Sequence, residues 1–153
     1  MFVTTSRDPS AKARRFARAL ASFLSLTYVN RGKQRLEGYE GESRDEPWLV
    51  VIEDHGNPAG LVKHRSKDSY RSKDSTIGEE RLSFQLIGEP EGRRLKRMTP
   101  SVVGEAETAR FIAQFFELVQ SSDCRPVSGR MIRATSGSID FMDEGETKFR
   151  LRI

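Results

Sequence analysis

The run Trp48-Leu-Val-Val-Ile-Glu-Asp54 constrains this chain most, because it reads as a strand at the centre of a sheet, apolar almost without interruption. A buried strand of that kind needs helices packed against its sheet, and two stretches supply the pattern. From Pro9 to about Ser25, Ala13, Phe16, Ala17, Leu20, Phe23 and Leu24 recur at three- and four-residue steps. From Gly104 to Gln120, Ala109, Phe111, Ile112, Phe115, Phe116, Leu118 and Val119 form a broad apolar face, with Glu105 and Glu107 suited to the helix start. Shorter strands are expected at Phe2–Thr5, Leu26–Arg31, Leu61–Arg65, Leu82–Leu86, Met131–Thr135, Ser138–Met142 and Lys148–Ile153, with Arg93–Met98 as a hairpin partner. His55–Gly60 reads as a turn on composition, and Ser66–Glu80 as a polar loop. The fold class is α/β.

The two helices line up as Ala11-x-x-x-Arg15-Phe16-x-x-x-Leu20-x-x-Phe23 on Ala106-x-x-x-Arg110-Phe111-x-x-x-Phe115-x-x-Leu118. Helical packing alone produces such apolar matches, and so does duplication of an ancestral half. The surfaces differ: the first helix is basic, the second mixed.

The 153 residues carry a formal net charge of +4, which alone says little. Its placement says more. Residues 1–36 hold eight bases against the single acid Asp8, whereas residues 37–62 hold only Arg44 against seven acids. The single cysteine, Cys124, excludes an internal disulfide and a cysteine-only zinc site. The opening residues lack the basic-then-apolar pattern of a signal peptide, and no apolar run approaches the ~18 residues of a membrane span. A soluble cytoplasmic protein with no membrane partner is expected.

The strand-to-helix turn Thr4-Thr-Ser-Arg-Asp-Pro-Ser10 gathers hydroxyls, an arginine and free N–H groups. The helix is expected to open at Pro9 with Asp8 as its cap, and a phosphate would compete with Asp8 for the same donors. Arg7 lies in the turn, and behind it Lys12, Arg14, Arg15, Arg18, Arg31, Lys33 and Arg35 run without an acid from Pro9 to Leu36. Solvated faces normally interleave both signs, so this cluster points to RNA phosphates. Lys63 and Arg65 at a strand end, and Arg93, Arg94, Lys96 and Arg97, are further candidate RNA contacts. Tyr28, Tyr39 and Tyr70 are too few to form a base-stacking sheet, and Tyr28 and Trp48 read as packing residues. Glu53, Asp54 and His55 resemble a metal or catalytic group, but neighbours on a strand face opposite ways. No nucleophile–base pair and no Walker-type loop is readable, so no enzyme, metal or cofactor is expected.

Val3-Thr-Thr-Ser-Arg-Asp-Pro-Ser10, Tyr28-Val-Asn-Arg-Gly32, Leu49-Val-Val-Ile-Glu-Asp-His-Gly56 and Pro58-Ala-Gly-Leu-Val62 together resemble the Brix domain, in the family's order and spacing. The nearest likeness is to short archaeal members, related to a component of the small nucleolar ribonucleoprotein that processes pre-18S ribosomal RNA. Beyond residue 90 the resemblance rests on length and pattern. It implies one Brix domain over 1–153, in approximate halves 1–80 and 81–153, each a small mixed sheet packed with a long helix. The implied architecture is akin to the anticodon-binding domain of class II aminoacyl-tRNA synthetases. It also implies a non-enzymatic ribosome biogenesis factor that binds ribosomal RNA or pre-rRNA and assists its processing, pairing or folding, beside ribosomal or assembly-factor proteins. The alternative is a protein-interaction adaptor in the pre-ribosome, with the acidic connection 37–47 as its contact. A metal-dependent ribonuclease is a distant third reading.

Overall fold

The computed structural model describes residues 1–30, 32, 46–64, 80–91, 95–121 and 129–153. Strand β1 (Phe2–Thr5) leads into helix α1 (Ala11–Leu24), then β2 (Thr27–Tyr28), β3 (Trp48–Asp54), β4 (Asn57–His64) and β5 (Glu80–Ser83). These strands form one mixed sheet in the order β2-β1-β3-β4-β5, with β1 parallel to β2 and β3 and the rest antiparallel. As its apolar run requires, β3 is the central strand. A second mixed sheet, β6-β10-β9-β8-β7, is built from β6 (Gln85–Ile87), β7 (Ser101–Gly104), β8 (Arg130–Ala134), β9 (Ser138–Asp143) and β10 (Glu146–Arg152). Helix α2 (Ala106–Phe116) joins the parallel pair β7 and β8.

The two sheets repeat one plan. In each, a first strand enters a helix, runs parallel to the strand that follows, and two antiparallel strands complete the series. The helix ends match atom for atom. Ser25 and Glu117 are both left-handed caps, and the next amides, Leu26 and Leu118, each donate back to an alanine carbonyl at 2.8 Å. The chain then returns to the first strand, through Val29 N–H to Val3 O at 2.9 Å and Ser121 N–H to Val102 O at 2.8 Å. Matching the caps pairs Ala17 with Ala109, Leu20 with Ile112, Phe23 with Phe115 and Leu24 with Phe116, all buried. The sequence register is therefore three residues out. It places Phe111, which is 42% exposed, opposite the fully buried Phe16.

One core joins the halves, because α1 carries apolar residues around most of its circumference. Phe16 meets Phe84 and Phe149, and Phe23 meets Phe141 and Phe149, at centroid distances of 5.2–5.9 Å. Helix α1 is thus held by the second sheet as well as its own.

Several boundaries differ from expectation. The apolar alternation Leu82-x-Phe84-x-Leu86 is not one strand: β5 and β6 belong to different sheets, and Phe84 lies between them. The turn over His55–Gly60 shrinks to His55 and Gly56; β4 starts at Asn57, with Pro58 opposite Glu53 at a register shift that tolerates its missing N–H. Helix α2 spans Ala106–Phe116 instead of Gly104–Gln120, and Ser101–Gly104 before it is a strand. Residues 95–98 form no strand; they dock on the end of α1 through hydroxyls. Leu95 N–H donates to Ser22 Oγ at 2.9 Å, and Met98 N–H to Ser25 Oγ at 2.8 Å. Residues 66–79, the acidic stretch to residue 45 and Cys124 lie outside the described residues. Among those described, no helix is long and apolar enough to cross a membrane.

Candidate nucleic-acid interface

Helix α1 starts two residues later than its proline suggests. Ser10 is the cap, its hydroxyl accepting from Ala13 N–H at 3.1 Å and donating to Gly56 O at 3.0 Å. Asp8 sits exposed in a left-handed bend and caps nothing. The carboxylate at the helix start belongs instead to Glu53, which accepts from Ser10 N–H at 3.2 Å and Ser6 hydroxyl at 3.4 Å. An anion approaching this turn would therefore meet Glu53, not Asp8.

Lys12, Arg14, Arg15 and Arg18 are all exposed on α1, and Arg7 is exposed on the turn before it. Helix α1 carries no acid in its first turn, where the macrodipole disfavours cations. Arg14 and Arg18, four apart, repel one another. These charges do not serve helix stability. On one flank the Arg18 guanidinium lies over the Tyr28 ring, 5.4 Å from its centroid. On the other, Arg15 pairs with Glu89 at 2.7 Å, and Lys12 donates to Asn57 Oδ1 at 3.1 Å. The docked segment brings exposed Lys96 and Arg97 to the far end of the same helix. Arg31, Lys33, Arg35, Arg65, Arg93 and Arg94 lie outside the described residues.

Lys63 does not join this surface. It is 2% exposed, with its ammonium 2.9 Å from Glu117, 3.9 Å from Glu80 and 3.4 Å from the Gln114 carbonyl at the end of α2. The strand places it there: Leu61 and Lys63 share the inward face of β4, an alternation readable in the sequence.

The opposite clamp, Arg130, escaped sequence reading altogether. It is 1% exposed and donates to Asp143, to Phe23 O and to Met98 O at 3.0, 3.1 and 3.1 Å. The signal was Arg130-x-Ile132-x-Ala134, which sets the arginine among core residues of β8. Arg133, Arg150 and Arg152 add three further cations on the second sheet. All three are exposed, and a hydrogen bond to Asp140 raises the pKa of Arg150 above the ordinary arginine value.

Glu53 and Asp54 part as strand neighbours should: Glu53 holds the helix start, while Asp54 lies 2.7 Å from His55 Nδ1 in solvent. Among the described residues no group of three or more His, Cys, Asp or Glu side chains could hold a metal ion.

No family model matches the chain. A probable Brix domain-containing ribosomal biogenesis protein of Methanosarcina mazei is 28% identical over 157 residues, covering 100% of this chain and 96% of the relative. Its counterpart in Methanococcoides burtonii is 29% identical over 157 residues, covering 100% and 94%. That of Archaeoglobus fulgidus reaches 49% over 59 residues, 39% of this chain and 37% of the relative. Among solved structures, Mil, an archaeal Imp4-like protein, superposes with a TM-score of 0.70 at 26% identity, covering 100% of this chain and 96% of that one. A probable ribosomal biogenesis protein from Aeropyrum pernix K1 shares the fold, with a TM-score of 0.63 at 18% identity over 99% and 92% of the chains. The homologues of this chain are Brix domain-containing ribosomal biogenesis proteins, and its fold is that of an archaeal Imp4-like protein.

Proposed function

We propose that this protein acts in ribosome biogenesis in the cytoplasm by binding ribosomal RNA or its precursor along α1, assisting processing, pairing or folding without catalysis. The observation that carries the reading is the exposed row Lys12, Arg14, Arg15 and Arg18 on a helix whose first turn holds no acid. Cations there oppose the helix dipole and each other, so their presence answers to a polyanion and not to the fold. Arginine makes forked contacts to phosphate and stacks on exposed bases, and the Arg18–Tyr28 pair offers a flat platform of that kind. Arg7, Lys96 and Arg97 extend the surface at its two ends. The 1–153 chain works as one unit in this account, because α1 is shared by both halves.

Crosslinking in cells, followed by sequencing of the attached RNA, tests the reading. Ribosomal or pre-ribosomal RNA is expected to dominate the recovered sequences, and Arg14→Glu with Arg18→Glu to remove it. Recovery no richer in ribosomal RNA than from an unrelated basic protein would overturn the proposal.

A further inference from the structure

A cavity of about 320 Å³ opens beside the basic row, between the start of α1, the start of β4 and the end of β6. Its size falls in the about 300–1,000 Å³ range of small-ligand sites. Pro58 and Pro90, both buried, and half-buried Leu86 give it apolar walls. Lys12 and Arg15 also line it, and the Arg15–Glu89 pair brings a carboxylate to it. Flat apolar walls, cations at the edge and a carboxylate, with the amides of Asn57 and Gln85 beside them, suit neither a free phosphate nor a second protein. They suit a nucleotide whose base enters and whose phosphates stay outside with the lysine and arginines.

We infer that this cavity receives one unpaired base of the bound RNA, and that Glu89 selects a base with N–H donors on its Watson–Crick edge, guanine foremost. The inference rests on the RNA-binding reading above and specifies its substrate as single-stranded. Guanine offers a carboxylate two parallel donors, N1–H and the exocyclic amino group, whereas uracil offers one N–H flanked by two carbonyls that repel the carboxylate. Sequence-specific RNA recognition works in this way, by reading base edges that pairing would hide. A carboxylate offers acceptors only, so Glu89 reads donors and not acceptors on a base edge. The exposed ion pair contributes little to stability, so it opens cheaply to admit the base.

Fluorescence anisotropy with the full chain tests this, using a short oligouridine, the same strand with one central guanosine, and a duplex of equal length. The guanosine strand is expected to bind about tenfold tighter than oligouridine. The duplex should bind more weakly than the guanosine strand at the same salt concentration. Glu89→Gln, an exposed substitution, is expected to erase the guanosine preference while leaving oligouridine binding equal or stronger, since a negative charge is gone. Equal affinity for the two single strands, or a duplex that binds as well as the guanosine strand, would overturn the inference while leaving RNA binding intact. Binding to none of the three would overturn both.

Discussion

The Arg130 guanidinium reaches from β8 of the second sheet to the carbonyl oxygen of Phe23, 3.1 Å away, in the last turn of the first half's helix. A helix end leaves its last carbonyls unpaired and partially negative, so a buried cation suits it. The same side chain donates to Met98 O and to Asp143, tying α1, the docked segment and the second sheet together. Lys63 makes the reciprocal contact from the first sheet, to the Gln114 carbonyl of α2. Each half thus sends an inward cation to the other half's helix.

Arg130→Met should lower unfolding free energy by about 3 kcal/mol in urea titration, because it strands Asp143 and the Phe23 carbonyl, while Met98 O keeps the Ser25 hydroxyl. Asp143→Asn should cost less, since Arg130 keeps both carbonyls. The double substitution should fall short of the sum, as expected for residues sharing one network.

Lys63→Met is expected to change stability by less than about 1.5 kcal/mol, because Glu80 and Glu117 are partly exposed and can hydrate once the ammonium is gone. RNA affinity should be unchanged. Lys63→Glu should destabilise strongly, since it would bury a third carboxylate beside the other two.

Glu53→Gln separates folding from binding. Loss of the charged acceptor at Ser10 N–H and Ser6 should cost about 1 kcal/mol of stability. The same change removes a negative charge at the start of the basic row, so RNA should bind more tightly. Equilibrium unfolding and an RNA titration on one preparation read the two opposite signs.

Gly104 has φ +131°, and a Cβ there would lie 1.9 Å from the Ala134 carbonyl oxygen. Gly104→Ala must displace the β7–β8 ladder and should cost at least about 3 kcal/mol, seen as a large fall in urea midpoint.

Much of this molecule was legible in its sequence, and the misreadings share a physical origin. Trp48–Asp54 declared itself as the central strand because its first four side chains all call for burial, and all four are buried. The start of α1 was ambiguous because Asp8, Pro9 and Ser10 all suit a helix entrance, and the choice fell to Ser10 through its tertiary bonds with Gly56 and Glu53. Gly56, Pro58 and Gly60 looked like a six-residue turn, yet only two residues turn, since a bulge absorbs the proline. Lys63 was read by charge and not by face, which mistook an internal clamp for a surface contact. Phe111 matched Phe16 in pattern, but the helix caps align three residues away from that match, and Phe111 is left 42% exposed. The exposed part of the basic row was readable because no acid interrupts it.

The central claim is that the α1 cations hold RNA phosphate, and salt dependence tests it most directly. The affinity of the full chain for a single-stranded ribosomal RNA fragment should be measured across a range of salt concentrations, beside Arg14→Glu with Arg18→Glu. The logarithm of affinity should fall linearly with that of salt, by about 0.7 per phosphate neutralised. The double variant should bind far more weakly and lose about 1–2 from that slope. Equal slopes and equal affinities for the two proteins would contradict the account.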